Sequence, residues 1–235
     1  MPAESSHPIW MRLEAAAAGR PPGHSRAEIT AAAITIADRE GLEAVSMRRV
    51  AAALGTGAAS LYRYVDNRED LLDLMSDAVG AEYVYRAPTG DWLTDLLELG
   101  EQARAILRRH PWLAFLLLTR PALGPNGLAL LEHFLETLAS HPASAAAKIE
   151  AFAIFSATSA LFMQNELSGG AGRQHRNAAY LRQALATGSH RRLGELLEAG
   201  APADPSQHVR DPADRYRDIL ARILTGLLSP PPDLG

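Results

Sequence analysis

The chain has 235 residues, 47% of them apolar, so it can bury a substantial core as one large domain or two small ones. It contains no cysteine, which excludes disulfides and thiolate metal sites and suits a reducing compartment. A formal net charge of −4 argues against a nucleic-acid partner, but the charge is unevenly placed. Ser46 to Val65 holds Arg48, Arg49 and Arg63 and no acidic residue, between flanks that carry Asp38, Glu40, Glu43, Asp66, Glu69 and Asp70.

Residues 1–24, proline-rich around an isolated Pro8-Ile9-Trp10, read as a leader without a fold of its own. The start is not basic and no apolar run follows it; no stretch approaches a membrane span, so the cytoplasm is the expected location and no membrane partner is expected. Arg12 and Arg20 either form a minor-groove arm or belong to a disordered tail, and the composition favours disorder. Ser25-Arg26-Ala27-Glu28 fits a capping box, and Ile29, Ala32, Ala33, Ile36 and Ala37 follow at helical spacing up to Gly41. A second, short helix runs from an N-capping Ser46 through Met47, Val50, Ala51 and Leu54 to Gly55. A third spans Ala58 to Tyr64 with Leu61 and Val65 inward, and a fourth, capped by Asn67, runs to about Tyr85.

The rest predicts amphipathic helices near 91–109, 112–119, 125–140, 145–168, 176–187, 190–199 and 212–228, with Gly124-Pro125, Ser144 and Asp211-Pro212 as the clearest starts. No strand pattern competes, so the fold class is all-α. Pro230-Pro231-Pro232 is a tail.

Ala51, Gly55 and Leu61 fall where a helix-turn-helix needs a small residue for close approach, a glycine for the turn and an apolar plug for the shared core. Ser60, Tyr62, Arg63 and Tyr64 occupy outward positions of the third helix and carry groups that reach bases and phosphates. Arg49 is compatible with either a phosphate contact or a solvated surface.

The run from Ser46-Met47-Arg48-Arg49-Val50 through Leu61-Tyr62-Arg63-Tyr64 to Leu72, with the first helix ahead of it, resembles the DNA-binding segment of the tetracycline-repressor (TetR) type regulators. Gly90-Asp91-Trp92 and the stretch from Arg109-His110-Pro111-Trp112 to Asn126 resemble one C-terminal branch of that family. The resemblance implies a leader (1–24), a three-helix DNA-binding head (25–72) and a helical body (73–235) that dimerises and holds a small effector. Carried onto this sequence, it makes Arg48 a base contact, turns Thr56, Ala58, Ala59 and Ser60 to the major groove, and gives phosphates to Tyr62, Tyr64 and Arg68. Tyr64 stands where the family commonly has histidine and Arg68 where it commonly has lysine; both keep a donor.

In the body, Trp112, Phe115, Phe134, Phe155, Phe162 and Met163 are candidates for a cavity wall, against the plainer reading that such residues are core. His133, Gln164, Asn165 and Glu166 are candidate polar anchors. Phe152 to Leu167, with Ala153, Ser156, Ala157 and Ala160, makes a dimer seam with Ile219, Ile223 and Leu227, and the resemblance implies a four-helix bundle there. No metal-binding, nucleotide-binding or catalytic constellation stands out, and no cofactor is implied. The expectation is a repressor that binds a palindromic operator as a homodimer and is released by a small, largely apolar effector. The alternative is a helical small-molecule-binding protein whose head does not serve DNA.

Overall fold

A reciprocal cap starts the first helix: the Glu28 N–H donates to the Ser25 hydroxyl at 3.1 Å and the Ser25 N–H to the Glu28 carboxylate at 2.8 Å. The structure, a computed structural model, describes residues 7–12, 23–168, 171–186, 190–200 and 211–229. α1 (Arg26–Glu40) ends at Gly41, whose φ of +85° lies in the region that favours glycine. α2 (Met47–Ala53) starts under the Ser46 hydroxyl, Gly55 at φ +67° makes the turn, and α3 (Ala58–Leu61) follows. α4 (Arg68–Gly80) begins where Asn67 accepts the Asp70 N–H at 2.7 Å.

Two boundaries differ from the sequence reading. The third helix stops at Leu61 and Tyr62–Tyr64 form a turn, while α4 stops at Gly80 instead of near Tyr85. Beyond it the Gln102 side chain takes both backbone groups of Val84, at 2.8 and 3.1 Å, and so holds this segment outside the helical ladder.

The body consists of α5 (Trp92–Arg109), α6 (Pro111–Thr119), α7 (Pro125–Thr137), α8 (Ala145–Ser168), α9 (Ala171–Ala186), α10 (Arg191–Gly200) and α11 (Pro212–Leu228). One apolar core runs unbroken from the head (Ile29, Val50, Leu61, Val65) through Leu71, Met75 and Val79 of α4 to Leu107, Leu113 and Met163. A second joins α5, α7, α8 and α11 through Leu96, Phe134, Phe155, Tyr216 and Leu220. Contrary to the sequence reading, Ala145–Leu167 of α8 is long and apolar enough to cross a membrane by length and composition. Here it is a bundle helix: Ala151, Phe155, Ser159 and Met163 face the core, and Ile154, Leu161 and Leu167 are exposed.

The leader reading also needs correction. Pro8-Ile9-Trp10 is not loose; Ile9–Met11 form a 3-10 turn with Ile9 only 1% exposed. Arg26 donates to the carbonyls of Ile9, Arg12 and Tyr64, and Arg12 pairs with Asp66 and Asp70 at 2.8 and 2.7 Å. Its guanidinium therefore faces carboxylates of the head. Arg20 and Pro230-Pro231-Pro232 lie outside the described residues.

This docking predicts that Ile9→Ala lowers stability by about 2 kcal/mol or more, because it leaves a void beneath the head. Met11→Ala, at a position 67% exposed, should stay within about 0.5 kcal/mol. Urea denaturation of both variants checks this, and equal midpoints would mean that the turn does not dock.

Candidate nucleic-acid interface and effector cavity

The outer face of the head is set by what the core takes from it. Val50, Ala51 and Leu61 are buried, which leaves Arg48 exposed on α2 and Ala59 exposed on α3. Tyr62, half exposed at 51%, and Arg63 stand beside them, with Thr56, Ala58 and Ser60 partly exposed. The Thr56 and Ser60 hydroxyls lie 2.8 Å apart and Ser60 also donates to the Gly57 carbonyl at 2.7 Å, so the start of α3 is held by its own side chains. Among the described residues no side-chain partner meets the guanidinium of Arg48 or Arg63, whereas Arg49 is tied to Glu40 at 2.6 Å.

Two residues expected at phosphates are used elsewhere. Tyr64 lies in the head core, because it sits three residues after Leu61 and next to Val65 and shares their inward face. Arg68 donates to the carbonyls of Val45 and Leu42 at 2.9 and 3.0 Å, which pins the start of α4 to the connection between α1 and α2. Its charge stays near the surface, but its fork is engaged in the protein.

A polar junction fastens the head to the body. The buried His110 imidazole sits between Asp38 of α1 and Glu82, with Nδ1 and Nε2 each 2.8 Å from a carboxylate oxygen. Trp112 Nε1 donates to the same Asp38 oxygen at 2.7 Å, and Arg109 pairs with Glu82. The two ring nitrogens thus bridge the carboxylates of the head and of the segment after α4. Burial alone would raise the Glu82 carboxyl, but hydrogen bonds and charge from Arg109 and His110 outweigh it and hold Glu82 below its ordinary range.

Inside the body a small, partly enclosed cavity lies against α4, walled by Val79, Ile106, Leu107, Leu113, Leu117, Leu130 and Phe155. Its polar groups are Ser76, Asp77, Tyr83, Ser156 and Ser159, and among the described residues no basic side chain lines it. Burial, then the neighbouring Tyr216 and Tyr85, pushes the Tyr83 phenol upward. Tyr216, 2.7 Å from Ser159, is pushed up to about 12, mainly by burial. Both phenols are therefore neutral hydroxyls near neutral pH.

Of the eight body residues expected at a ligand, the structure brings only Phe155 to this cavity. Trp112 belongs to the head–body junction, and Phe115 stands half exposed beside it because its helix turns Leu113 and Leu117 to the cavity instead. His133 packs on Tyr85, Phe134 and Met163 are core, and Phe162 and Asn165 line a groove between α8 and α11. Among the other proposed anchors, Glu166 pairs with Arg104 at 2.7 Å. Asp77, Tyr83 and the three serines were missed. One signal for Asp77 was available: α7 starts Gly124-Pro125 with no side chain of its own to cap it, so its orphan N–H groups need an acceptor from elsewhere.

A helix-turn-helix head joined by a shared helix to a helical bundle with an internal cavity defines a class of regulatory protein. The chain belongs to the tetracycline-repressor family: the profile described as "Bacterial regulatory proteins, tetR family" matches residues 29–75, and "Tetracyclin repressor-like, C-terminal domain" matches residues 86–229. This is a family of regulators, not of enzymes. The HTH-type transcriptional repressor DrrR1 of Streptomyces coeruleorubidus is 43% identical over 129 residues, covering 54% of this chain and 48% of that protein. An HTH-type transcriptional regulator of Saccharopolyspora erythraea is 37% identical over 133 residues, 56% of each chain. The chain thus spans about half the length of the curated relatives it matches. Apo ActR of Streptomyces coelicolor superposes with a TM-score of 0.73 at 31% identity, covering 89% of this chain and 97% of that one. ActR is also solved in complex with actinorhodin, with a TM-score of 0.72, 30% identity and coverage of 89% and 98%.

The junction generates a pH prediction. Because the folded Glu82 carboxyl lies below its unfolded value, its contribution is complete above the ordinary glutamate range near pH ~4.3 and is lost as pH falls through the lower folded value. Urea midpoints measured from about pH 6 down to about pH 3 should fall less steeply in Glu82→Gln than in the parent. Parallel curves would show that the junction is not formed in solution.

Proposed function

We propose that this protein is a transcriptional repressor that binds a palindromic operator as a homodimer and is released when a small, largely apolar molecule enters the body cavity. The observation that carries the reading is the pairing of an outward arginine and tyrosine on a helix-turn-helix with a cavity whose wall includes the helix that holds that head. Arg48 reads a base edge, where a bidentate contact to guanine is worth about 1–3 kcal/mol of discrimination. Tyr62 and Arg63 hold phosphates, while Thr56, Ala58, Ala59 and Ser60 form a small, close-fitting surface against the groove. Arg68 acts through the fold: it sets the start of α4 against the head. The complexes of ActR with small molecules support an effector role for a cavity in this body.

The surface that supports dimerisation lies on α8 and α11. Leu161, Phe162, Ile219 and Ile223 line the groove between them, with Ala153 and Ile154 exposed on the same helix as Leu161. Ser156 and Ala160 turn inward instead and contribute to the cavity wall and the core. A second copy laid antiparallel on this face completes a four-helix bundle and removes its apolar side chains from water.

Titration of the full chain against duplex DNA from its own upstream region, followed by fluorescence anisotropy at several salt concentrations, should give sequence-selective binding that weakens steeply with salt. Arg48→Ala should lose about tenfold or more in affinity with stability unchanged within about 0.5 kcal/mol. Arg68→Ala should lower the urea midpoint as well, since two carbonyls lose charged donors. No preference over random duplex in that titration or in a random-library selection would favour the small-molecule-binding alternative.

Sedimentation equilibrium should find a dimer that Leu161→Arg with Ile223→Arg converts to a folded monomer. A dimer that survives both changes would put the interface elsewhere.

A further inference from the structure

The polar end of the cavity is a carboxylate that belongs to the helix holding the head. Asp77 of α4 reaches across to the start of α7. Its Oδ1 accepts the N–H groups of Asn126 and Gly127 at 2.9 and 3.1 Å, and its Oδ2 accepts Asn126 Nδ2 at 3.1 Å. α7 has Gly124 at its cap position and Pro125 as its first residue, so it supplies no cap of its own and takes this one from 49 residues away.

The close approach depends on missing side chains. A Cβ on Gly124 would stand 2.4 Å from Asp77 Oδ1, and one on Gly80 would meet the Asn126 Cβ at 3.1 Å. One turn before Asp77, Asp73 pairs with Arg120 at 2.9 Å, so this face of α4 is held to the segment between α6 and α7 by two carboxylates.

Asp77 is also part of the cavity wall, which has no other charged side chain among the described residues. Its negative field reaches Tyr85, whose phenol is raised first by burial and next by Asp77. An anionic guest would meet that field with no cation among the described lining residues to offset it, at a cost that grows as the site excludes water. A guest with a hydrogen-bond donor finds an acceptor whose Oδ2 is occupied only by a side-chain amide.

We propose that Asp77 is the specificity-determining residue of the cavity: it selects a neutral or cationic apolar molecule bearing a hydroxyl or amine, which takes Oδ2 from Asn126 and loosens α4 from α7. This rests on reading the cavity as the effector site. Release of that contact is passed to the head because α4 is pinned there by Arg68, so the helix moves with what it holds.

The test uses the purified full chain and three naphthalene probes that differ in one substituent, 2-naphthol, 2-methylnaphthalene and 2-naphthoate, titrated by calorimetry. The parent should bind 2-naphthol about tenfold or more tighter than either of the others, since the site's acceptor is otherwise unmatched or opposed. Asp77→Asn keeps an oxygen to cap α7 and loses the charge, so it should fold normally and shrink the preference for 2-naphthol over 2-naphthoate several-fold. Equal binding of 2-naphthol and 2-naphthoate by the parent, no binding of any probe, or an unchanged ratio in Asp77→Asn would overturn the assignment.

A second measurement reads DNA affinity. Gly124→Ala drives the Asp77 carboxylate off α7 without removing it, so it should weaken binding to the upstream duplex about tenfold while leaving the probe ratio in favour of 2-naphthol. Unchanged DNA affinity in that variant would overturn the coupling. If the parent ignores DNA altogether, the regulator reading fails, while the probe ratio still decides the role of Asp77.

Discussion

α4 has to satisfy two bodies with one surface, and that constraint orders the rest of the structure. Leu71, Met75 and Val79 lie along one stripe and are buried in the core that runs from the head into the bundle. A helix packed this way cannot tilt without opening voids on one side or the other, because close-packed interiors shift between discrete arrangements more readily than they deform. Its polar groups fix the register that the apolar stripe leaves open. Arg68 holds one end to the head, and Asp73 and Asp77 hold the middle to the connection between α6 and α7.

The head is nevertheless not fused rigidly to the bundle by apolar contact alone. Asp38, Glu82, Arg109, His110 and Trp112 meet in a polar knot away from the α4 stripe. Such a knot is directional: its bonds need particular distances and angles, so it favours one relative orientation of head and body over neighbouring ones. A directional polar latch beside a closely packed helix disfavours intermediate orientations, the condition that a two-state change of head against body would need.

Much of the scaffold was legible in the sequence because the relevant signals are local. The capping box at Ser25, the caps at Ser46 and Asn67, and the need for a left-handed residue at Gly55 each depend on a few neighbouring residues, and each appears as read. The cavity was not legible for the opposite reason. Large apolar residues such as Phe134 and Met163 signal burial, but burial in a filled core and burial around a void have the same periodicity. Asp77 was hidden in the same way. A charge inside an amphipathic helix reads as solvated, and only the three-dimensional placement of an uncapped helix start, 49 residues on, gives it a partner. Tyr64 shows the limit from the other side. Reading α3 as two full turns put its ring outward, and the helix ending at Leu61 turned it in.

The electrostatics of the head resolve the objection raised by the net charge of −4. Acidic residues flank the helix-turn-helix on both sides, and a phosphate backbone approaching bare carboxylates there would be repelled within a screening length of about 8–10 Å. Several of those carboxylates already face a guanidinium: Arg12 lies against Asp66 and Asp70, and Arg49 against Glu40. The local field of this face is then set more by Arg48 and Arg63, which have no such partner among the described residues, than by the formal total. This gives the N-terminal turn a reason to be folded. By burying Ile9 it places Arg12 where it neutralises the start of α4, so this segment conditions the surface that the head offers.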